Sequence, residues 1–501
     1  MNIRQHAIAV CLVAAVSLCS AHVASAETAP WVTTAGNRFV HAGSGAAVVL
    51  RGVNVAPGSN PALQARVVEL GANFVRIHVR WADLQPTAPT AGNPGWNTTL
   101  FVSIQQQIAW YEAHGINVLI DLHQYDWSSY FTPRGGGIPA WFYTQIRKGE
   151  YPRTARGEIR AFTDFYSDPV AIRLYSDLAT MVVTRFDGDP NVVGYEILNE
   201  PLAPGTHAGT QSVLSFEARI RRAVSAADPL RTVFVMARTG GDLGLLDATF
   251  RAFGNLHHVA LDYHAYYSGR PRTGMTFDGE AWTPTWAATH MQASAGYRGR
   301  EALQHAVLMT PILKADDQRI PLLIGEWGAR RDDRNGRAYQ AQMLAIFDRY
   351  GLSWARWTMS SQDTLGILNS ASQPTPDFDQ LRTALQTESR PPPAAGPRLP
   401  WFGVSRPALS LARAPAHPVW LCYRPAANAG RVTIAFRHSD GGVIRTIQTG
   451  ALAANRLGCR RWRGGNGRGG RVRPQIVYVR VSTLYGAGRR SSVWRTIAVR
   501  P

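Results

Sequence analysis

Eight short runs of β-branched and apolar residues recur along the chain before residue 390, and longer stretches with a helical pattern separate them. The runs are Val48–Val53, Asn73–His78, Asn117–Leu122, Val192–Leu198, Thr232–Met236, Val259–Tyr263, Pro321–Ile324 and Ser353–Trp357. The helical stretches include Leu100–His114, Ala161–Phe186, Val213–Ala226 and Tyr339–Tyr350. Because strands that alternate with helices pair in parallel, eight such units predict a closed (β/α)8 barrel.

The amino-terminal residues carry the pattern of a secretory signal. Arg4 supplies a positive charge, Ala7–Leu18 is apolar, and Ala24–Ala26 matches a cleavage site of small residues. The apolar run is too short to span a bilayer, so residues 1–26 are predicted to be removed on export. An uncleaved anchor is the alternative. The mature protein is therefore expected to be secreted.

The pattern changes near residue 390. Residues 390–400 are rich in proline and predict a semi-rigid linker that ends the barrel domain, residues 27–389. Beyond the linker come alternating runs at Arg431–Arg437, Gly442–Gln448, Gln475–Val481 and Val493–Val499, separated by glycine-rich turns. This all-β pattern predicts a small sandwich over residues 401–501.

The excess positive charge lies almost entirely beyond the linker. The whole chain has a net charge of +19, and residues 391–501 contain 19 Arg, no Lys and one acidic residue, Asp440. The predicted barrel is therefore nearly neutral. Three interpretations stay open for the second domain: arginine that reflects a GC-rich coding bias, an anchor to an anionic membrane or cell wall, or a nucleic-acid binder. Export argues against nucleic acid.

Four cysteines are present, and Cys11 and Cys19 lie in the predicted signal. Cys422 and Cys459 remain in the second domain, and an oxidising compartment favours a disulfide between them. Two buried free thiols are the alternative. A metal site at these cysteines is not expected, because neither a CxxC pair nor a His-Cys cluster accompanies them.

Polar residues follow the predicted barrel strands where each strand ends. They are Arg76 on the second strand, His123 on the third, Asn199 and Glu200 on the fourth, His264 and Tyr266 on the sixth, Glu326 on the seventh and Trp357 on the eighth. The carboxyl ends of barrel strands meet at one face, where barrel enzymes place their active sites. Two carboxylates among imidazoles and aromatic rings suit the cleavage of a glycosidic bond.

The chemistry assigns expected roles to these residues. Glycoside hydrolysis needs one carboxyl group to protonate the leaving oxygen and one carboxylate to attack or activate water, so Glu200 and Glu326 are the candidates. A separation of roughly 5 Å would indicate retention of configuration. Arg76 would keep the nucleophile ionised, whereas the acid/base is expected to have a raised pKa. Asn199 could bond the sugar 2-hydroxyl, and Trp357 could stack on a sugar ring. Asp121 and Glu196 are interpreted as supporting partners.

These residues, in this order, resemble the motif set of glycoside hydrolase family 5. The opening Arg51-Gly52-Val53-Asn54 is similar to the first strand of that family, and the resemblance runs from about residue 48 to residue 386. It implies that Glu200 is the acid/base, that Glu326 is the nucleophile and that no cofactor is needed. It also implies a set of residues that line the subsite of the cleaved sugar: Arg76, His123, Asn199, His264, Tyr266 and Trp357.

The loop after the third strand gives a first indication of substrate. Its Gly135–Trp141 and the preceding Asp121–Gln124 resemble the endoglycoceramidase branch of family 5, which implies a glycolipid substrate. That branch usually has Asp after His-Gln, whereas this chain has Tyr125. The loop is rich in aromatic residues, namely Trp127, Tyr130, Phe131, Trp141, Phe142 and Tyr143. If exposed, they would suit a lipid aglycone or a membrane surface; the alternative is a lid packed on itself.

Other functions remain open on the sequence alone. The loop after the sixth strand carries Tyr267, Trp282, Trp286 and Tyr297, which would equally suit a β-glucan or mannan chain. A glycolipid endoglycosidase and a β-glucan or oligoglucoside hydrolase are therefore both retained. A non-catalytic sugar-binding barrel or scaffold is disfavoured because both carboxylates are present. A metal-dependent lyase is disfavoured because no cluster of acidic ligands is apparent. A monomer is expected.

Overall fold

The structure is a computed structural model that describes residues 32–203, 207–237, 248–267, 275–277, 282–284, 308, 311–312, 314–316, 318–332, 336–387, 401–404, 408–415, 417–425, 429–438, 442–453, 458–485 and 490–501. The predicted signal, the predicted linker, Trp286, Tyr297 and Asp440 lie outside these residues. Their assignments stay predictions.

A small antiparallel sheet comes first and closes the bottom of the barrel. It consists of β1 (Val32–Ala35), β2 (Arg38–His41) and β3 (Ala47–Val48). Val32 and Phe39 pack into an apolar cluster with one residue from each of seven barrel strands, including Phe74, Leu119 and Phe234. Phe39 stacks on Phe234 with ring centroids 5.7 Å apart. This apolar plug leaves only the opposite end of the barrel open to polar chemistry.

The barrel is closed, and its eight strands are all parallel, as the sequence predicts. The first six are β4 (Arg51–Val55), β5 (Phe74–Arg80), β6 (Asn117–His123), β7 (Val192–Glu196), β8 (Thr232–Val235) and β9 (Val259–Tyr267). A hairpin of β10 (Met275–Phe277) and β11 (Trp282–Pro284) then intervenes. The last two barrel strands are β12 (Leu322–Ala329) and β13 (Ser353–Arg356), and β13 pairs with β4 to close the ring. The predicted fold class is confirmed.

Helices connect the strands around the outside of the barrel. They are α1 (Pro61–Leu70), α2 (Trp81–Leu84), α3 (Thr98–Ala113), α4 (Ala155–Phe165), α5 (Pro169–Phe186), α6 (His207–Ala227), α7 (Gly336–Tyr350) and α8 (Pro376–Gln386). The described residues also include a π-helical turn at Phe142–Ile146 and a 3-10 turn at Arg251–Phe253. None of the helices in the described part of the chain is long and apolar enough to cross a membrane.

The prediction of one helix over Ala161–Phe186 is wrong, because the structure has two helices there. The break falls at Asp168, whose side chain accepts hydrogen bonds from the backbone N–H groups of Val170 and Ala171. Pro169 cannot continue the preceding helix, since it lacks an N–H group and its ring clashes with the preceding turn. The apolar pattern continues across this break, which is why periodicity alone did not reveal it.

The described residues after position 400 form two sheets, as the sequence predicts. The smaller contains β14 (Trp401–Val404), β16 (Val419–Arg424) and β19 (Gly458–Trp462). The larger contains β15 (Ala408–Ser410), β17 (Ala429–Arg437), β18 (Val443–Thr449), β20 (Gln475–Tyr485) and β21 (Arg490–Arg500). Phe436 and Trp462 join the sheets with ring centroids 4.6 Å apart. Cys422 and Cys459 are paired across β16 and β19 and form a disulfide.

Candidate active site

Arg76 on β5 lies at the centre of the open end of the barrel, with no exposed surface. Its guanidinium donates 2.7 Å hydrogen bonds to Glu196, Glu326 and Asn199 and a 2.9 Å bond to Asn54, and it lies 3.1 Å from Asp121. Burial lowers the pKa of Arg76, but the carboxylates around it outweigh burial and hold the pKa well above its usual value. Arg76 is therefore a permanent positive charge to which side chains of several strands are fixed.

Glu326 lies on β12 and is held at both carboxylate oxygens. Its Oε1 accepts from Arg76 at 2.7 Å, and its Oε2 accepts from the hydroxyl of Tyr266 at 2.5 Å. Nδ1 of His264 lies 3.5 Å from the same Oε2. Glu326 is only 4% exposed. These contacts fix the orientation of a carboxylate that faces the barrel mouth.

The residue before Glu326 is a glycine for a steric reason. A Cβ atom at Gly325 would lie 2.0 Å from the carboxylate of Asp262, on the neighbouring strand β9. The backbone N–H of Gly325 donates to that carboxylate at 2.7 Å. The pairing of β12 with β9 shifts register between Leu323 and Glu326, next to this contact. Close approach of Asp262 to the strand is thus part of how Glu326 is positioned.

Glu200 follows β7 and has a backbone φ of +40°, in the left-handed region. A residue other than glycine is strained there by about 1–3 kcal/mol, so surrounding groups must hold it. Gln124 does so by donating to the carbonyl oxygens of Glu200 at 2.6 Å and Asn199 at 3.1 Å. Asn199 donates in return to the carbonyl of Gln124 at 2.9 Å.

The carboxylate of Glu200 accepts a 2.8 Å hydrogen bond from Nδ1 of His264. Burial raises the pKa of Glu200, but the hydrogen bond and the charge of His264 lower it, and the net pKa lies below its ordinary value. The expectation of a raised pKa for Glu200 is therefore wrong. The reason is the adjacent cation, which the sequence did not place in contact with this carboxylate.

His264 is the source of that positive charge. Burial lowers its pKa, but Glu326, Asp262 and Glu200 raise it well above the ordinary histidine value. His264 therefore carries a proton that it shares with Glu200 through the 2.8 Å hydrogen bond. Carboxylate oxygens of Glu200 and Glu326 and a ring nitrogen of His264 all lie within 4.8 Å of one another.

Trp357, His123 and His78 form an aromatic wall beside the carboxylates. The rings of His123 and Trp357 are stacked, with centroids 5.6 Å apart and planes 12° apart, and His78 lies 4.9 Å from Trp357. Nδ1 of His123 is fixed by Asp121 at 2.7 Å, and the indole N–H of Trp357 donates to Asp363 at 2.9 Å. This wall offers the flat apolar face that a sugar ring requires.

Each predicted site residue thus lies in one connected group, and sequence reasoning missed four others. His78, Asn54, Gln124 and Asp262 were given no role. The alternation of side chains along a strand could have identified two of these residues. His78 lies two residues after Arg76, and Asp262 lies two residues before His264, so each pair shares a strand face. Burial and the nearby charges of His123 and Arg76 lower the pKa of His78, so it is neutral.

The expectation that acidic residues form no cluster is wrong. One ligand-type atom from each of Glu196, Asp262 and His264 lies within 4.8 Å of the others, and Asp121, His123 and Glu326 form a second such group. Sequence spacing did not show this because the members come from different strands. The charge of Arg76 lies among these groups and offsets part of their negative charge.

The aromatic loop after β6 is packed on itself, so of the two interpretations left open by the sequence the self-packed lid is confirmed and the exposed loop is wrong. Of the six aromatic side chains singled out in the sequence, five are buried and Phe131 is partly buried. The indole N–H of Trp127 donates to the hydroxyl of Tyr143 at 2.6 Å inside this cluster. Tyr125, which follows Gln124 directly, is 54% exposed. Burying these rings against one another stabilises the loop more than exposing them to solvent would.

Comparison with known proteins agrees with this geometry. Residues 42–363 match the family model described as Cellulase (glycosyl hydrolase family 5). The chain belongs to glycosyl hydrolase family 5. It is therefore a glycosidase, with the barrel and second β-region described above. No curated protein matches the chain.

Several solved structures of endoglycoceramidases share the fold. An endogalactoceramidase superposes with a TM-score of 0.55 at 19% identity, covering 86% of this chain and 100% of that chain. Endo-glycoceramidase II from Rhodococcus sp. in complex with a five-membered iminocyclitol has a TM-score of 0.52 at 20% identity, covering 76% and 85%. The same Rhodococcus enzyme with a cellobiose-like imidazole has a TM-score of 0.53 at 18% identity, covering 82% and 98%.

Proposed function

We propose that this chain is a retaining β-glycosidase in which Glu326 is the nucleophile and Glu200 is the acid/base. The observation that carries the proposal is the short separation of the two carboxylates. One oxygen of Glu200 and one oxygen of Glu326 lie within 4.8 Å of each other. Carboxyl groups about 5–5.5 Å apart characterise retaining enzymes, whereas inverting enzymes need about 6.5–9.5 Å to admit a water molecule. The contacts of each carboxylate divide the roles between them.

In the first step a carboxylate oxygen of Glu326 attacks the anomeric carbon. The bond from that carbon to the leaving oxygen breaks, and Glu200 gives that oxygen a proton. Arg76 and Tyr266 orient the nucleophile, since each donates a hydrogen bond to one of its oxygens. Stacking on Trp357 would keep the sugar ring in place during attack.

In the second step a water molecule gives a proton to Glu200, and its oxygen attacks the anomeric carbon. The bond to Glu326 breaks with its electron pair returning to the carboxylate, so the enzyme is regenerated and the sugar keeps its β configuration. Glu200 thus acts first as acid and then as base. The mechanism uses only side chains of this chain.

The pair of Glu200 and His264 supplies the proton for the first step. In the free enzyme the proton resides on His264, as the opposite pKa shifts of the two groups indicate. The side chain of Glu200 is 26% exposed, so a bound aglycone would desolvate it and raise its pKa. The proton then moves along the 2.8 Å hydrogen bond to Glu200, next to the leaving oxygen.

For the substrate, the proposal is the glycan–lipid bond of a glycolipid outside the cell. The solved relatives named above include an endogalactoceramidase and an endo-glycoceramidase, and the sequence around His123 and Gly135 resembles that branch. The strongly basic second β-region is suited to a substrate that resides in an anionic membrane. Exposed Tyr125, beside Gln124, is the aromatic side chain of the β6 loop available to an aglycone.

A β-glucan or oligoglucoside hydrolase is the second candidate function. The burial of the loop aromatics favours it, because those rings do not form the apolar surface that a lipid aglycone would contact. The matching family model is also described as a cellulase. Both candidates use the same carboxylates and differ only in what occupies the leaving-group side.

Product analysis on matched substrates separates the two candidates. The substrates are a series of β-linked lipid glycosides, dispersed in detergent, and soluble cello-oligosaccharides with the same terminal sugars. The glycolipid proposal expects release of the intact oligosaccharide from the lipid, at a higher kcat/KM than any cello-oligosaccharide gives. Cleavage of the cello-oligosaccharides alone would overturn it in favour of the second candidate.

The variant Glu326→Gln tests the nucleophile on an activated aryl β-glycoside. We expect kcat to fall by roughly 10⁴-fold or more, because the neutral amide cannot form the covalent intermediate. Glu69→Gln, at an exposed position on α1, is the matched control and should leave kcat unchanged. Unchanged turnover by the Glu326 variant would remove the nucleophile assignment.

A further inference from the structure

A glycine-rich hairpin follows β19 in the second β-region, and we call residues 463–473 the arginine hairpin. Its two arms are paired by a bridge between Gly465 and Arg471. Backbone bonds from Asn466 to Gly470 at 2.9 Å and from Val472 to Gly464 at 2.8 Å extend the same pairing. The backbone of this segment is therefore held as a hairpin by its own hydrogen bonds, although its glycine-rich composition is typical of a flexible loop.

Particular side chains maintain that order. Oδ1 of Asn466 accepts from the backbone N–H groups of Arg468 at 2.9 Å and Gly470 at 3.1 Å, which closes the tip. The backbone at Gly467 has a φ of +81°, which a residue with a Cβ adopts only at a cost. At the base, the indole N–H of Trp462 donates to the carbonyl of Gly465 at 3.0 Å.

The base is also anchored in the sandwich. Trp462 is 1% exposed and Val472 is 4% exposed, and the Trp462 ring packs against Phe436 of the opposite sheet. Side chains that alternate with these two residues must point outward. The buried anchors therefore fix the direction in which the remaining side chains of the hairpin are presented.

Every exposed charged side chain of the hairpin is an arginine. Arg463, Arg468, Arg471 and Arg473 are exposed, and Arg460 and Arg461 immediately precede them. Among the described residues, none of these six has a carboxylate within ion-pair distance. A cluster of unpaired guanidinium groups on a rigid support is costly in self-repulsion unless an anion neutralises it.

A coding bias toward arginine does not explain the cluster. The same bias acts on residues 1–390, yet acidic residues almost balance the basic ones there. Residues 391–501 have 19 Arg and a single acid, so they combine about twice the arginine density of the preceding residues with an almost complete loss of acidic residues. Loss of acids leaves a surface of one sign, which a multivalent anionic partner requires.

We propose that the arginine hairpin is a docking surface for the anionic phospholipid headgroups of a bilayer. This inference rests on the proposed glycolipid substrate, because an enzyme that acts on such a substrate works at a membrane surface. Guanidinium groups bind phosphate oxygens in pairs of parallel hydrogen bonds, and the ordered hairpin loses little conformational entropy when several bind together. The second β-region then holds the barrel close to its substrate.

The test is sedimentation of the full chain with phosphatidylcholine vesicles that contain or lack phosphatidylglycerol, with no glycoside present. Each arginine near an anionic surface contributes roughly fivefold to partitioning. The triple variant R463Q/R468Q/R473Q should therefore bind anionic vesicles about a hundredfold more weakly than the unmodified chain. Arg471 is left in place because its guanidinium also donates to the carbonyl of Leu411.

The matched control is R185Q/R219Q/R222Q, which removes the same charge from exposed positions on the barrel helices. It should leave the partitioning unchanged, and added salt should weaken binding of the unmodified chain. Equal weakening by both triple variants, equal binding to vesicles without phosphatidylglycerol, or binding to DNA but not to vesicles would overturn the proposal. Binding to these vesicles, combined with no hydrolysis of any lipid glycoside in the separate product analysis, would instead overturn the proposed substrate and leave the docking surface standing.

Discussion

Two buried carboxyl groups beneath the active site lead to a prediction about stability. Glu196 and Asp262 are fully buried, and among the described residues no N–H group donates to Oε1 of Glu196 or to Oδ2 of Asp262. Burial and the charges of Asp262 and Asp121 raise the pKa of Glu196 well above its usual value, although Arg76 opposes them. Burial raises the pKa of Asp262, but His264, Arg76 and a hydrogen bond with Glu196 outweigh burial and hold the pKa below its usual value. We infer that Glu196 is protonated and donates to an ionised Asp262.

The variant Glu196→Gln should then be tolerated. Glutamine has the shape of the protonated acid, so its amide N–H can donate to Asp262 while its oxygen accepts from Nε of Arg76, which Glu196 contacts at 2.7 Å. We expect the free energy of unfolding to change by less than about 1.5 kcal/mol, because the substitution keeps both hydrogen bonds of the protonated acid. If Glu196 were ionised, the substitution would break a buried ion pair and cost about 3–5 kcal/mol.

Asp262→Asn is the comparison that makes the result informative. Asp262 accepts from the backbone N–H groups of Tyr263 at 2.6 Å and Gly325 at 2.7 Å, and its charge faces Arg76 and His264. Loss of that buried charge should cost about 3–5 kcal/mol. Urea unfolding of both variants, followed by circular dichroism and tryptophan fluorescence, gives the two free energies.

The pH dependence provides an independent check. The folded protein keeps the Glu196 proton, whereas the unfolded chain releases it above about pH 4.3, so this group stabilises the fold less as pH rises. Glutamine does not titrate, so the stability of the glutamine variant does not fall for this reason. Its free energy of unfolding should therefore rise relative to that of the unmodified chain as pH increases. The reasoning is refuted if Glu196→Gln destabilises as much as Asp262→Asn, or if the difference from the unmodified chain does not change with pH.

Two further predictions concern the catalytic pair and its backbone. Replacing His264 with Asn leaves the catalytic proton on Glu200 alone. The basic limb of the kcat/KM–pH profile should therefore move to lower pH by about one unit or more. A basic limb that stays in place would contradict a proton shared by His264 and Glu200. Gly325→Ala places a Cβ 2.0 Å from the Asp262 carboxylate and should lower kcat/KM by about 10²-fold, whereas Gly188→Ala, where the added Cβ meets no atom within 4 Å, should have no effect. Equal activity of the two alanine variants on an aryl β-glycoside would show that the close contact is unimportant.

Much of the site could be predicted because, in this fold, the positions of the strand ends in the sequence are enough to identify most site residues. Once the eight strands are located, the residues at their carboxyl ends are neighbours, and Arg76, Glu200 and Glu326 follow directly. The same alternation could have identified His78 and Asp262, which share strand faces with Arg76 and His264. The predicted strands lie close to the observed ones because β-branched runs between helices have few other solutions.

The rest depends on contacts between residues far apart in the chain. The pKa of Glu200 depends on His264, 64 positions away, and the proton on Glu196 depends on Asp262. Neither distance can be deduced from spacing along one strand. The burial of Trp127 likewise depends on how the β6 loop folds over α4, and an aromatic composition fits an exposed or a buried loop equally well.

The central claim, that Glu326 is the nucleophile of a double-displacement reaction, is tested most directly by trapping the intermediate. A 2-fluoro aryl β-glycoside slows hydrolysis of the glycosyl-enzyme more than its formation, so the covalent species accumulates, and peptide mass spectrometry locates the sugar. The account predicts one sugar per chain, on the peptide that contains Glu326, and release of a β-configured product from the ordinary substrate. A sugar on Glu200, or an α-configured product with no covalent adduct, would contradict it.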